Sequence, residues 1–404
     1  MTTTTRLPAG LLALCFGNFV IGTGTLIVPG MLPALAEGLG VSLPVAGQLI
    51  TAFAAAVCVG APLLAGATSR YDRRSLLVAI QLVFLVGHGA AALLSSFVPM
   101  LAARVFSSVG AALFSAQAAA TAALLVPPEG RGRAIAFVFL GWSIASVAGL
   151  PLGAYVAAAL GWRVGFALVA AGALAAAAAI WTLVPSGLRV QPADARMWRE
   201  IFDNRTLLEV VAVTALLSCS AFGLFAYLVP AMHAFLHASP ETMSMLLAAF
   251  GIAGVTANML AIRFMDRLGA GNVVLICLLA MLAAHLLLPW SRDALPVAVA
   301  VVVLWGAGAL PGNSAQQARL AALAPGLASV SIALNTSAVF LGQAAGAAAG
   351  GLLLARVPGV DGFASLPWIS VPLFVAAIGM SLFASRKMPA STRSAHVQRR
   401  AFQR

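Results

Sequence analysis

The chain has 404 residues, of which 62% are hydrophobic and 8% charged, and its formal net charge is +12 at pH 7. Soluble domains run nearer half apolar and a quarter charged, so composition excludes a water-soluble fold. A nucleic-acid partner is excluded as well, because the basic residues gather on no single face and fall instead in short gaps between apolar runs and in the segment 386–404.

A membrane-crossing helix needs about 20 apolar residues. Runs of that kind, broken by charge, Pro and Gly, predict twelve spans at 10–33, 44–67, 76–96, 99–125, 133–159, 163–184, 206–231, 242–262, 271–290, 295–316, 327–355 and 367–385. The runs are long and rich in Ala and Leu, unlike the short alternating segments of a membrane barrel. The opening MTTTTRLPAG leads directly into the first run, which reads as a span rather than a cleaved leader. Cys15, Cys58, Cys219 and Cys277 each lie inside a run and read as small hydrophobes, not as disulfide or metal ligands.

Between the second and third runs, the stretch GATSRYDRRSLL crowds Arg70, Asp72, Arg73 and Arg74 into one short loop. With the N-terminus placed inside, nineteen of the 23 Arg and Lys residues fall in inside segments; Arg163, Arg292 and Arg356 fall outside, and Arg104 lies within span 4. That asymmetry predicts that both ends are cytoplasmic. The chain also repeats itself at an offset of 197: Pro33 maps to Pro230, Arg70 to Arg267, His88 to His285, Pro128 to Pro325, and Gly149 and Gly153 to Gly346 and Gly350. The repeat predicts an all-α membrane protein of twelve transmembrane helices in two parallel, pseudo-symmetric six-helix halves. The halves are 1–187 and 206–388, joined by a cytoplasmic linker, 188–205, and followed by a basic tail, 389–404.

Several stretches carry a family resemblance: IGTGTLIVPGMLPALA (21–36), APLLAGATSRYDRR (61–74), LVPPEGRGRAIAF (125–137), GLPLG (149–153) with GWR (161–163), and SIALNTSAVFLGQAAGAAAGG (331–351). In this order they resemble the major facilitator superfamily, and within it the bacterial drug/proton antiporters and arabinose-efflux-permease-like proteins. The loop signature of that family reads G-x-x-x-D-R-x-G-R-R. Here Ser69 stands where the acid is usual and Asp72 where the second glycine is usual, while Arg73 and Arg74 match. The second half keeps Asp266, Arg267 and Gly269.

The resemblance implies a secondary active transporter of the bacterial inner membrane that exports a small organic solute by alternating access, with proton antiport. It implies a monomer in the lipid bilayer, with neither cofactor nor metal and no enzymatic activity. Uptake or exchange without protons is the alternative within the class, and a non-transporting sensor or scaffold the alternative outside it. The loop residues Arg70, Asp72, Arg73, Arg74, Asp266 and Arg267 read either as a latch between the halves or as topological anchors. Gly149, Pro151 and Gly153 stand where antiporters carry a Gly-Pro motif on the fifth helix.

In that fold the first helix of each triplet lines a central cavity. Candidate substrate contacts are then Asn18 and Thr25 on span 1, Ser108 and Ser115 on span 4, Trp142 on span 5, Phe222, Phe225 and Tyr227 on span 7, Trp305, Asn313 and Gln316 on span 10, and Asn335 on span 11. Arg104 and Glu209 are the candidates for coupling. A charge within a span costs about 3 kcal/mol even on the gentler scales, so Arg104 either snorkels to the outer interface or serves the cavity. Glu209 is the deepest of the eleven acids, about one turn into span 7. Thr25 stands where relatives often place an acid on the first helix, which leaves energy coupling open. His88 and His285 read as packing residues on the outermost helices. No phosphate-binding loop, zinc motif or nucleophile elbow accompanies them.

Overall fold

The computed structural model describes residues 8–68, 70–189 and 195–387, and among them twelve helices are long and apolar enough to cross a membrane. These are spans 1 to 12: Ala9–Gly38, Leu43–Leu64, Arg73–Leu93, Phe97–Leu124, Pro128–Leu160, Trp162–Leu183, Arg205–Phe225, Pro240–Met265, Ala270–Ser291, Leu295–Leu323, Val330–Arg356 and Val360–Lys387. Ser69 and the tail from 388 onward lie outside the described residues, as do the side chains of Asp266 and Arg196.

Span 1 runs past its expected end at residue 33, through two prolines, to Gly38. A proline inside a helix lacks the N–H of the ladder and presses on the carbonyl four residues back. The strain is relieved at Met31, whose φ of −119° and ψ of 17° leave the helical region. The second half repeats the device. Span 7 breaks at Tyr227 (φ −116°, ψ 15°), and a further helix, Leu228–Leu236, carries Pro230, the counterpart of Pro33. Span 5 bends differently, through a π turn at Ala145–Gly149 that leads into Pro151. A π turn re-routes the local hydrogen bonds, and this one delivers the backbone to the proline.

The internal repeat holds in three dimensions. Span 3 packs on spans 4 and 6 as span 9 packs on spans 10 and 12, and span 1 packs on spans 5 and 6 as span 7 packs on spans 11 and 12. Between the halves run two symmetry-related seams, span 2 against span 11 and span 5 against span 8. The short helix Ala195–Asp203, within the expected linker, rests on spans 7 and 11.

The two ends of the bundle differ. One, here called the basic side, carries the loop before span 3 and the start of span 7. On the other, the far side, the end of span 1 packs against Leu228–Leu236. The seam with span 8 uses the π turn and Leu150–Leu160; among the described residues, the basic-side piece of span 5, Arg131–Ile144, forms no such seam. The halves are therefore closed across the middle and the far side.

Candidate functional site

Two polar clusters sit at corresponding places in the halves. In the first, the Asn18 amide donates to the Val138 carbonyl at 3.0 Å, Ser115 donates to Asn18 Oδ1 at 2.7 Å, and the Trp142 indole N–H donates to Ser115 at 3.0 Å. In the second, Thr214 donates to Asn335 Oδ1 at 2.7 Å, the Asn335 amide donates to Asn313 Oδ1 at 3.2 Å, and Gln316 donates to Thr214 at 3.0 Å and to the Val210 carbonyl at 2.9 Å. One cluster thus ties spans 1, 4 and 5, and the other spans 7, 10 and 11. Polar groups in hydrocarbon find partners because no water is there to do so. The expected residues are brought together, but largely saturated by one another. Thr214 was missed by sequence reading. Its signal was its place, one residue from the counterpart of Asn18.

Phe222, Phe225 and Trp305 meet in one aromatic group, joined by Phe250, which sequence reading also missed. Ring centroids stand 5.1 Å apart for Phe222 and Phe225, 5.4 Å for Phe225 and Phe250, and 5.8 Å for Phe225 and Trp305. Trp305 is fully buried behind the others. Tyr227 lies away from this group. It is fully buried and donates to the Ala347 carbonyl of span 11 at 3.0 Å, against Gly47 of span 2 and Gly351 of span 11. Ser108 is buried and turns back on its own helix, donating to the Val105 carbonyl at 2.6 Å.

Arg104 does not snorkel: only 1% of it is exposed. Its Nη1 donates to the Gly24 carbonyl at 3.2 Å and to His88 Nε2 at 3.3 Å, and its guanidinium lies 4.2 Å over the Phe53 ring. His88 Nδ1 is 3.0 Å from the Phe84 carbonyl. A carbonyl only accepts, so Nδ1 carries the proton and Nε2 is free to accept from Arg104. Arg104, Thr25, Phe53, Phe222 and Gln343 line a cavity of about 10 Å³ between the halves, room for one water. A larger apolar cavity of about 170 Å³ lies on the far side, lined by Met31, Pro33 and Ala157 of the first half and Val229, His233 and Met243 of the second.

Glu209 is placed elsewhere, at the basic end of span 7, where it pairs with Lys387 at 2.5 Å. On the same side, Asp72 caps span 3, accepting from the Ser75 N–H at 3.1 Å and its hydroxyl at 3.2 Å, and accepts from the Gly187 N–H at 2.6 Å. Partial burial works to raise the Asp72 carboxyl, but the Ser75 and Gly187 N–H groups, the Ser75 hydroxyl and the Arg74 charge outweigh it and hold it below the usual carboxylate range. Arg73 bonds the Gln117 side chain, its N–H donates to the Leu188 carbonyl at 3.0 Å, and Arg74 lies 4.5 Å over the Trp181 ring. Arg70 is exposed beside Tyr71. These bonds of Asp72 and Arg74 stay within the first half, so in this state Asp72 fastens its loop to the end of span 6 and does not bridge the halves. Arg267 is exposed.

A depressed carboxyl stabilises the fold above its unfolded value, about 3.9, and stops doing so as pH falls through the folded value. Asp72→Ala should therefore melt lower than the parent at neutral pH, with about 1 kcal/mol lost with the cap. The gap should close in melting curves taken at successively lower pH. A gap that does not change with pH would show that the carboxylate charge plays no part.

Gly149 and Gly153 of the GLPLG stretch face Thr23 and Ile27, where an added Cβ would collide with span 1. Pro151 offers its carbonyl across the seam to Ser244 at 3.2 Å, and Gly251 of span 8 lies directly against the Ser146 carbonyl. The π turn thus presents backbone, not side chains, to the other half.

The comparisons agree with this architecture. The family model described as Major Facilitator Superfamily matches residues 14–235 and 211–403. The chain is 30% identical over 386 residues to the inner membrane transport protein YdhP of Escherichia coli strain K12, covering 94% of this chain and 96% of that one. It is 31% identical over 381 residues to a chloramphenicol resistance protein of Streptomyces lividans, covering 92% and 96%. Among solved structures it is similar in fold to a bacterial homologue of the human lysosomal transporter Spinster, in an inward-facing and occupied conformation, with a TM-score of 0.76, 18% identity, and coverage of 95% and 97%. The chain belongs to the Major Facilitator Superfamily. It is a multi-pass secondary transporter that works in a lipid bilayer on a small-molecule substrate.

Proposed function

We propose that the protein exports a small organic solute from the bacterial cytoplasm by alternating access, with both termini cytoplasmic and the basic side facing inward. The observation that carries the mechanism is the asymmetric meeting of the halves: seams at spans 2/11 and 5/8, a far side closed by the end of span 1 on Leu228–Leu236, and, among the described residues, no seam from Arg131–Ile144. Two pseudo-symmetric halves packed this way give one of two end states, and rocking about the seams gives the other. The charge asymmetry supports placing the basic side in the cytoplasm, and on that reading this is the inward-facing state. Export rather than uptake is supported by the chloramphenicol resistance protein among the relatives. One chain supplies both halves of the pathway, so a monomer suffices.

Proton antiport is the reading the family resemblance favours. The site favours a second one, exchange without obligatory proton movement. Among the described residues no carboxylate lines the central cavity, and Glu209 is paired at the basic side. Proteoliposomes loaded with a pH-sensitive dye and given chloramphenicol, sugars and organic acids test both. Solute-dependent proton release establishes antiport. Solute flux with no proton signal establishes exchange. No saturable flux of any solute would overturn the transport proposal.

A further inference from the structure

The guanidinium of Arg104 has five N–H donors. Both bonds it makes to protein atoms come from Nη1, and the Phe53 ring covers its face. Its Nε is buried with no partner among the described residues, and none of their carboxylates pairs with it. The edge formed by Nε and Nη2 is left over. That edge takes a carboxylate side-on through two parallel N–H···O bonds.

The second half supplies an internal control. At the offset of 197, Val301 stands in the place of Arg104 and His285 in that of His88. Both are fully buried, and His285 Nδ1 is bonded to the Met281 carbonyl at 2.8 Å, as His88 is to the Phe84 carbonyl one turn back. The frame is built twice and the cation appears once. Packing of the frame does not require an arginine, and a buried cation without a counter-charge is costly in hydrocarbon.

We propose that Arg104 docks the anionic group of the transported solute, and that the substrate is a small organic carboxylate. This deepens the transport reading and rests on it. Thr25, whose hydroxyl donates to the Ile21 carbonyl at 2.8 Å, and Gln343 line the same cavity. In the present state the cavity is too small for the solute. The site opens when Phe53 of span 2 and Phe222 of span 7, which both line it, move apart.

The test uses purified full-length protein in detergent at pH 7 and fixed ionic strength, followed by thermal unfolding with matched probes: benzoate and benzamide, hexanoate and hexanamide, indole-3-acetate and indole-3-acetamide. At least one carboxylate should raise the melting temperature by about 2 °C or more, corresponding to binding well above its Kd, while its amide does not. Arg104→Gln should abolish the shift, and Arg104→Lys, which keeps the charge and loses the fork, should at least halve it. If Arg104→Gln fails to fold, Arg104→Lys and the amide controls carry the test. Three results would each overturn the proposal: no carboxylate-specific shift, a shift retained in Arg104→Gln, or an equal shift from chloride, which would assign the site to a small inorganic ion. Failure of the transport reading looks different, since proteoliposomes would then move no solute of either charge.

Discussion

Tyr227→Ala is expected to destabilise the protein by about 3–5 kcal/mol, the range for emptying a buried aromatic site, and to unlock the far side. Tyr227 has no exposed surface and stands where the break in span 7 brings its ring against Gly47 of span 2 and Gly350 and Gly351 of span 11. Any side chain at those glycines would meet the ring, so the three helices have been shaped around it. Removing the ring leaves a void at a seam between the halves, where neighbouring helices cannot collapse without shifting the seam. Tyr227→Phe keeps the ring and loses only the bond to the Ala347 carbonyl, so it should cost about 1 kcal/mol. The consequence for access is measurable in a background freed of the four native cysteines. His233→Cys, in the wall of the far-side cavity, should react faster with an impermeant maleimide added from outside when Tyr227 is Ala than when it is Tyr. Unchanged labelling together with an unchanged melting temperature would remove Tyr227 from the closure.

Gly251→Val should abolish transport, with a loss of at least tenfold in initial rate, even where the protein still folds. An ideal Cβ at Gly251 would strike the Ser146 carbonyl oxygen and approach the Val147 Cα at 2.7 Å. Both obstacles are backbone, so no rotamer change can clear them, and span 8 must leave span 5. Overpacking of a tight contact costs about 1–3 kcal/mol, but the effect on the cycle is larger than on stability, because the rocking halves bear on this seam. Gly379 on span 12 supplies the control: a Cβ there meets nothing within 4 Å. Gly379→Ala should hold transport and gain up to about 1 kcal/mol from better helix propensity. Normal transport by Gly251→Val would mean that spans 5 and 8 do not stay in contact through the cycle.

Composition and the spacing of charge were enough to determine the class of this protein. Twelve apolar runs, the crowding of arginine into alternate gaps and the offset of 197 that pairs Pro33 with Pro230 and His88 with His285 follow from requirements along the chain itself. A span must be apolar over a fixed length, and a repeat leaves landmarks at a fixed distance. The tertiary structure alone decided which polar residues meet. Asn18 pairs with Ser115 of span 4, Tyr227 seals a seam instead of lining the cavity, Thr214 and Phe250 join clusters in which they were not expected, and Glu209 ends beside Lys387. The reason is physical. In a soluble helix the buried face is apolar and the exposed face polar, so sequence reports orientation. In a membrane helix the lipid-facing and partner-facing sides are both apolar, and the rotation of each span is set by contacts with helices distant in sequence.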